Sequence, residues 1–405
     1  MKKEDLLEHV DENEVVALGK EIIRIPSFTT EESNVARFLV EFMGNHGLEA
    51  ELQELEPGRF QAIGRIRGTG GGKRLMLNGH IDIDPIPMGW PRSPWDPWVE
   101  NGRLWGGGIF NMKAGITSMT MAAVAVKRAG IPLRGDLVVA AVAGELQAGV
   151  GTIHLLDSGE MPDLAIVTEP FGAHNIVTKH AGACEMALHT YGRTRHMSLK
   201  EEGVDAIKQM MKLLEALDKL EFSGPRDPEL PGLPRFNVGS VIGGHGKELE
   251  LRGPYYVSDY CRAFIDVRFC LGMTPDGIKK DIEREIARLS AADPDFKCEV
   301  EFPPDPSYGI ATVWMHPLDV PKDSDVIRTL AQSYSQVTGS EPRIGPPEPA
   351  FRGYHGNDTS HLWQRGIPCC LYGPSGDWET WRWSYVDEMT LCAQVLALAA
   401  VDICG

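Results

Sequence analysis

Residues 75–83 run Leu-Met-Leu-Asn-Gly-His80-Ile-Asp82-Ile, an apolar stretch that ends in a histidine and an aspartate two positions apart. At the C-terminal end of a strand this spacing places an imidazole at the mouth of a sheet with a carboxylate behind it. The carboxylate can hold one ring nitrogen, fix the tautomer and raise the basicity of the other, which is how a metal-binding or acid/base histidine is prepared. Further polar groups follow other apolar runs. Gly144-Glu145-Leu146-Gln147 comes after Asp136–Ala143, Thr168-Glu169-Pro170 after 163–168, and Asn111-Met112-Lys113 precedes a small-residue helix. Two carboxyls sharing a pocket without a cation push one of their pKa values upward, so Glu145 and Glu169 are candidates for acid/base work.

The elements that must carry these groups alternate in type. Helical periodicity covers 4–25 and 31–47, strand-like runs cover 59–67 and 74–79, and a Pro/Trp-rich loop fills 84–105. A helix at 112–129, a buried strand at 136–143, a helix at 149–158 and a strand at 163–168 follow. This rhythm predicts an α/β fold, a mixed, largely parallel sheet covered by helices, with ligands at the strands' C-terminal ends. After residue 180 the pattern changes to an alternating strand (182–191), a helix (203–221), strands at 236–242 and 256–268 and a helix at 275–291. That order predicts an inserted ferredoxin-like α+β domain. From 301 the first pattern resumes with a helix at 323–337, a strand at 368–373 and a helix at 387–403. The expected organisation is a catalytic domain of residues 1–179 and 301–405 interrupted by an insert at 180–300.

Composition narrows the function classes. The chain of 405 residues has a formal net charge of −17 and 42% hydrophobic residues. So strong a negative charge argues against nucleic acid and anionic membranes as partners. No apolar run is read as a membrane span, the N-terminus lacks a signal-peptide pattern, and the eight cysteines are scattered without a C-x-x-C. Reduced thiols and a cytoplasmic location are the expectation.

Taken in order, these segments, with Gly192-Arg-Thr-Arg-His196, Phe236-Asn-Val-Gly239, Ile265-Asp-Val-Arg268, Gly356-Asn-Asp358 and Gly373-Pro-Ser-Gly376, resemble the M20 metallopeptidase family. That family includes carboxypeptidase G-like enzymes, aminoacylases and the deacylases of arginine and diaminopimelate synthesis. The resemblance spans essentially the whole chain. It implies a catalytic α/β domain with an inserted lid that also forms a homodimer, and hydrolysis of an amide bond by two divalent metals. It further implies His80 and Glu169 as metal ligands, Asp82 behind His80, Glu145 as the general base, and His196 as an oxyanion donor to the partner's site.

Three positions depart from the pattern. Asn111 stands where the bridging Asp belongs, Leu146 where the second-metal Glu belongs, and Ser384 where the last His belongs; no histidine follows His361. A neutral amide with a donor nitrogen cannot bridge two cations, and an alkyl chain has no donor atom at all. The expectation is therefore one divalent ion (Mn, Zn or Fe) held by His80, Glu169 and the Asn111 carbonyl oxygen, or none. His355 and His361 are candidate replacement ligands. Trp378, Trp381 and Trp383 are candidates for lining a pocket for an aromatic substrate, with core packing as the alternative. The leading reading is a diverged hydrolase acting on a C–N (amide or amine) bond of a small-molecule substrate. A metal-independent lyase or isomerase and a non-catalytic binding homologue are the alternatives.

Overall fold

The computed structural model describes residues 4–250 and 253–405. The chain divides into two compact units: residues 1–180, 318–349 and 357–405 form one, and residues 181–317 with 350–356 form the other. In the first unit an eight-stranded sheet runs in the order Glu49–Glu56, Arg59–Ile66, Leu137–Val142, Leu75–His80, Leu164–Val167, Cys369–Leu371, Asn175–Val177, Arg343–Gly345. The central ladders Leu137–Val142/Leu75–His80, Leu75–His80/Leu164–Val167 and Leu164–Val167/Cys369–Leu371 are parallel, and the first three strands pair antiparallel. The strand Leu137–Val142 (Leu-Val-Val-Ala-Ala-Val) is buried along its whole length, as expected of a strand covered on both faces. Each valine or leucine sealed there contributes about 1.5–3 kcal/mol relative to exposure.

Register is what makes the sheet useful. His80 lies opposite Val142, and Asn78 lies opposite Val167. Three parallel strands therefore finish at one level, and the residues that follow them, Gly144-Glu145 and Thr168-Glu169, emerge beside His80. Helix Ala114–Ala129 packs across these strands and against helix Val386–Cys404. Gly115 permits its close approach, since a Cβ there would stand 2.0 Å from the Thr168 carbonyl oxygen. The segment Ile109–Ala129 is long and apolar enough to cross a membrane, contrary to the sequence reading, but 94% of its most apolar stretch is buried inside the protein. It is a core helix whose small side chains let it pack on every side.

The second unit is a four-stranded antiparallel sheet in the order Arg235–Gly244, Tyr260–Phe269, Gly182–Tyr191, Lys297–Glu301, with helices Ala206–Leu217 and Pro275–Ala292. Its chain order, strand-helix-strand-strand-helix-strand, is ferredoxin-like. The expected boundary at residue 300 is corrected to 317. Lys297–Glu301 is the fourth strand of this sheet, paired with Ala187–Tyr191, and Met315 pairs with Ala183.

Other elements also differ from the sequence reading. The first helix is two, Glu4–Leu7 and Glu12–Ile23, because Asp11 caps the second by accepting from the Asn13 N–H at 2.7 Å. The Pro/Trp-rich loop supplies Trp98–Glu100 and Arg103–Trp105 to a small sheet completed by Trp383–Tyr385.

Candidate active site

His80 ends its strand fully buried. Its Nδ1 lies 2.8 Å from the backbone carbonyl oxygen of Asp82, with the Asp82 carboxylate 3.6 Å away. The tautomer is therefore set chiefly by a main-chain carbonyl, and not by the carboxylate expected from the His-x-Asp spacing. The Asp82 carboxylate works elsewhere. It accepts from the Glu145 N–H at 3.1 Å and the Leu146 N–H at 3.0 Å, clamping the turn that presents Glu145. That turn is entered through Gly144 at φ 74, a conformation that favours glycine.

The outward Nε2 of His80 has no hydrogen-bond partner and faces two carboxylates, Glu169 at 3.8 Å and Glu145 at 4.0 Å. Burial opposes protonation of His80, but the Asp82 contact and the charges of Glu145, Asp82 and Glu169 outweigh it and hold its pKa well above the usual value. Burial would raise Asp82, yet His80 and the two backbone amides keep it low. Glu145 is pushed well above the carboxylate range, first by burial, with Glu169, Asp358 and Asp82 adding to the effect against His80. Burial likewise raises Glu169, opposed by His80 and reinforced by Asp84 and Asp82. A buried histidine whose pKa is raised, beside two carboxyls whose pKa values are raised, is a group suited to acid/base chemistry.

One member of this group was not singled out from the sequence. Asp358 is fully buried at the start of helix Thr359–Gln364, and neither of its oxygens makes a well-formed hydrogen bond. Burial raises its pKa to about 7; His80 opposes the shift, Glu169 and Asp82 add to it, and the Thr152 hydroxyl gives weak help to the charged form. The flanking histidines drew attention away from it. His361 is no free ligand, because its Nε2 lies 2.7 Å from the Ala148 carbonyl oxygen and burial lowers its pKa to about 4. His355 belongs to the second unit, where burial and then Arg268 bring it to about 4.

Of the three divergent positions, Asn111 and Ser384 are tied up by local hydrogen bonds. The Asn111 amide nitrogen donates to Asp84 at 3.0 Å, leaving its buried Oδ1 without a partner. Leu146 turns its side chain outward, 37% exposed. Buried Ser384 donates to the Ser375 carbonyl at 2.7 Å. Among the described residues, no group of three or more His, Cys, Asp or Glu is arranged to hold a metal. The side chains facing one another are His80, Glu145 and Glu169. A twin-metal centre does not fit this donor set.

His196 lies in the second unit, exposed, at the start of the turn Met197–Glu202; its Nδ1 is 3.0 Å from the Ser198 hydroxyl. Tyr255 and Tyr256 pack beside its ring.

The pattern of peptidase family M20/M25/M40 matches residues 76–401. The chain belongs to this family. It is 26% identical to an N-formyl-4-amino-5-aminomethyl-2-methylpyrimidine deformylase of Halalkalibacterium halodurans, covering 92% of this chain and 90% of that protein. It is also 26% identical to an acetylornithine deacetylase of Aliivibrio salmonicida, over 67% and 74% of the two chains. In fold it is similar to the aminopeptidase PepT of Bacillus cereus (TM-score 0.74, 16% identity, 98% and 100% coverage). It is similar too to the Bacillus subtilis YXEP protein, a dinuclear metal-binding peptidase of family M20 (TM-score 0.66, 14% identity, 97% and 98% coverage). The protein is thus an M20-family amide-bond hydrolase whose α/β architecture is that of the family.

Proposed function

We propose that this M20-family hydrolase cleaves the amide bond of a small, flat aromatic substrate with acid/base groups of its own, using one divalent ion at most. The observation that carries the reading is the buried His80 Nε2, without a partner and facing Glu145 and Glu169 at 4.0 and 3.8 Å. In the ionised form Glu145 accepts a proton from a water molecule as that water adds to the amide carbonyl carbon. The same carboxyl then gives the proton to the leaving nitrogen as the C–N bond breaks, so an acid and an amine depart. The His80 imidazolium, fixed by the Asp82 carbonyl, donates toward the developing oxyanion. Glu169 balances its charge. The deformylase relative, named for a substituted pyrimidine, supports a flat ring beside the amide.

His196 is assigned to the site of a second copy of the chain. A homodimer through the inserted unit is supported by the open edge strand Arg235–Gly244, with Val241 and Ile242 exposed. Beside it Ile207 and Met211 are exposed on helix Ala206–Leu217. A cytoplasmic location is supported by eight free thiols.

The test follows product formation from N-formylbenzylamine in oxygen-18 water, with chelated protein and with protein reloaded with manganese or zinc. Hydrolysis puts the label in formate. Glu145→Gln lowers kcat by about 10²–10⁴-fold at unchanged melting temperature. Full activity in that variant would remove Glu145 from its role, and turnover without label would replace hydrolysis by elimination.

A further inference from the structure

We propose that Trp378 selects a flat aromatic group on the substrate, and that Ser384, at the position of the family's last metal ligand, has become the anchor of the loop that carries it. The inference rests on the amide-hydrolase reading above and names the residue behind its substrate class.

The loop after strand Cys369–Leu371 runs directly over the site backbone. A Cβ on Gly373 would stand 2.3 Å from the Thr168 carbonyl oxygen and 2.5 Å from that of Glu169. Seven residues past the strand, the loop reaches Trp378. Its ring meets Phe110 edge-on, centroids 5.0 Å apart at 77°, and tilts against Phe171 at 5.7 Å and 46°. Phe110 immediately precedes Asn111, and Phe171 follows Glu169 by two residues. The indole therefore spans the two loops that carry these site residues. Both phenylalanines are buried beneath it, whereas Trp378 is only half-buried.

The loop is built to hold that ring still. Ser384 Oγ donates to the Ser375 carbonyl at 2.7 Å, and Ser375 N–H donates to Glu388 at 2.7 Å. The Ser375 hydroxyl in turn accepts the Trp378 indole N–H at 3.3 Å. The Asp377 carboxylate gathers the rest, accepting from the N–H groups of Glu379, Thr380 and Arg382 and from the Thr380 hydroxyl. So dense a set of hydrogen bonds on a surface loop is what a preorganised binding element requires. The neighbouring tryptophans differ. Trp381 is exposed at φ 58, and Trp383 stands 6.1 Å from Trp105 under the Arg103 guanidinium in the small three-stranded sheet. Trp378 is the member of the trio that touches the loops of Asn111 and Glu169.

An aromatic ring stacks on an indole with an offset or edge geometry that an alkyl chain cannot reproduce. The experiment compares kcat/KM for N-formylbenzylamine and N-formylbutylamine, which share the reacting group. Wild type is expected to prefer the benzyl substrate by about tenfold. Trp378→Leu brings the ratio near one, and Trp378→Phe, which keeps a ring over Phe110 and Phe171, retains most of the preference and controls for folding. Ser384→Ala raises KM for the benzyl substrate several-fold with little change in kcat, the mark of a positioning residue. Binding is read separately from turnover. Benzylamine quenches tryptophan fluorescence in wild type and loses that effect in Trp378→Phe, while butylamine quenches neither. A substrate preference that survives Trp378→Leu overturns the assignment. Trp378-dependent quenching by benzylamine without hydrolysis of either amide upholds the platform and removes the hydrolase reading instead.

Discussion

The two sides of the candidate site have been built by different rules. On the side formed by the strand ends, His80, Asp82, Glu145 and Glu169 are buried titratable groups whose pKa values are moved first by burial and then by His80 and its neighbouring carboxylates and amides. On the other side, Asn111 bonds to Asp84, Leu146 points outward and Ser384 bonds to Ser375. The first side carries buried titratable groups, and the second carries uncharged side chains that hydrogen-bond locally or present apolar surface. The contrast is between side chains and not between loops: Glu145 and Leu146 share one turn, and Asp82 holds both of its amides.

The most direct way to break this contrast is to reverse it. Combining Asn111→Asp, Leu146→Glu and Ser384→His restores a bridging carboxylate and two ligands, and raises bound zinc from at most one ion per chain to two. Elemental analysis after dialysis checks it, and two ions on the wild-type chain would erase the contrast.

A second prediction sharpens the charged side. The Asp358 pKa of about 7 lies above its ordinary 3.8. Between those values the folded chain holds a proton that the unfolded chain has released, so this group's contribution to stability falls as pH rises from about 4 to 7. Asp358→Asn, which removes the buried charge, is therefore stabilising at pH 8 by up to a few kcal/mol, on the scale of about 1.4 kcal/mol per pKa unit. Its advantage shrinks through pH 7 and disappears below about pH 4. Urea titrations of both proteins at pH 4, 6 and 8 measure this, and a pH-independent difference would show that the carboxyl is not strained.

The smallest effect lies on the neutral side. Ser384→Ala removes one hydrogen bond to a carbonyl, costing about 1 kcal/mol. Thermal unfolding reads it, and a loss of several kcal/mol would mean that Ser384 supports more than its loop.

Much of the charged side was legible in the sequence, because apolar strands that end in His, Glu and Glu announce their own C-terminal ends. Convergence at one level was not legible, since it depends on pairings such as His80 with Val142 that no local pattern encodes. The strands Asn175–Val177 and Arg343–Gly345 are too short to show alternation. Lys297–Glu301 carries charges at alternate positions and reads as solvent-facing chain, which moved the boundary of the insert. Asp358 was hidden by chemistry of a different kind. In Tyr354-His-Gly-Asn-Asp-Thr-Ser-His361 the histidines look like ligands, and only burial shows that both oxygens of the aspartate are unsatisfied. Asp82 was placed correctly beside His80, but its backbone partners, and hence its main work, follow from the turn geometry at Gly144.

That bond between Asp82 and the amides of residues 145 and 146 has a consequence for how such a molecule could arise. Main-chain donors are insensitive to mutation of the side chains they belong to, so the glutamate remains aimed whatever residue replaces its neighbour. An ancestor could therefore surrender its ions one ligand at a time while the framework around the reacting groups kept its shape, leaving selection free to redesign the vacated wall.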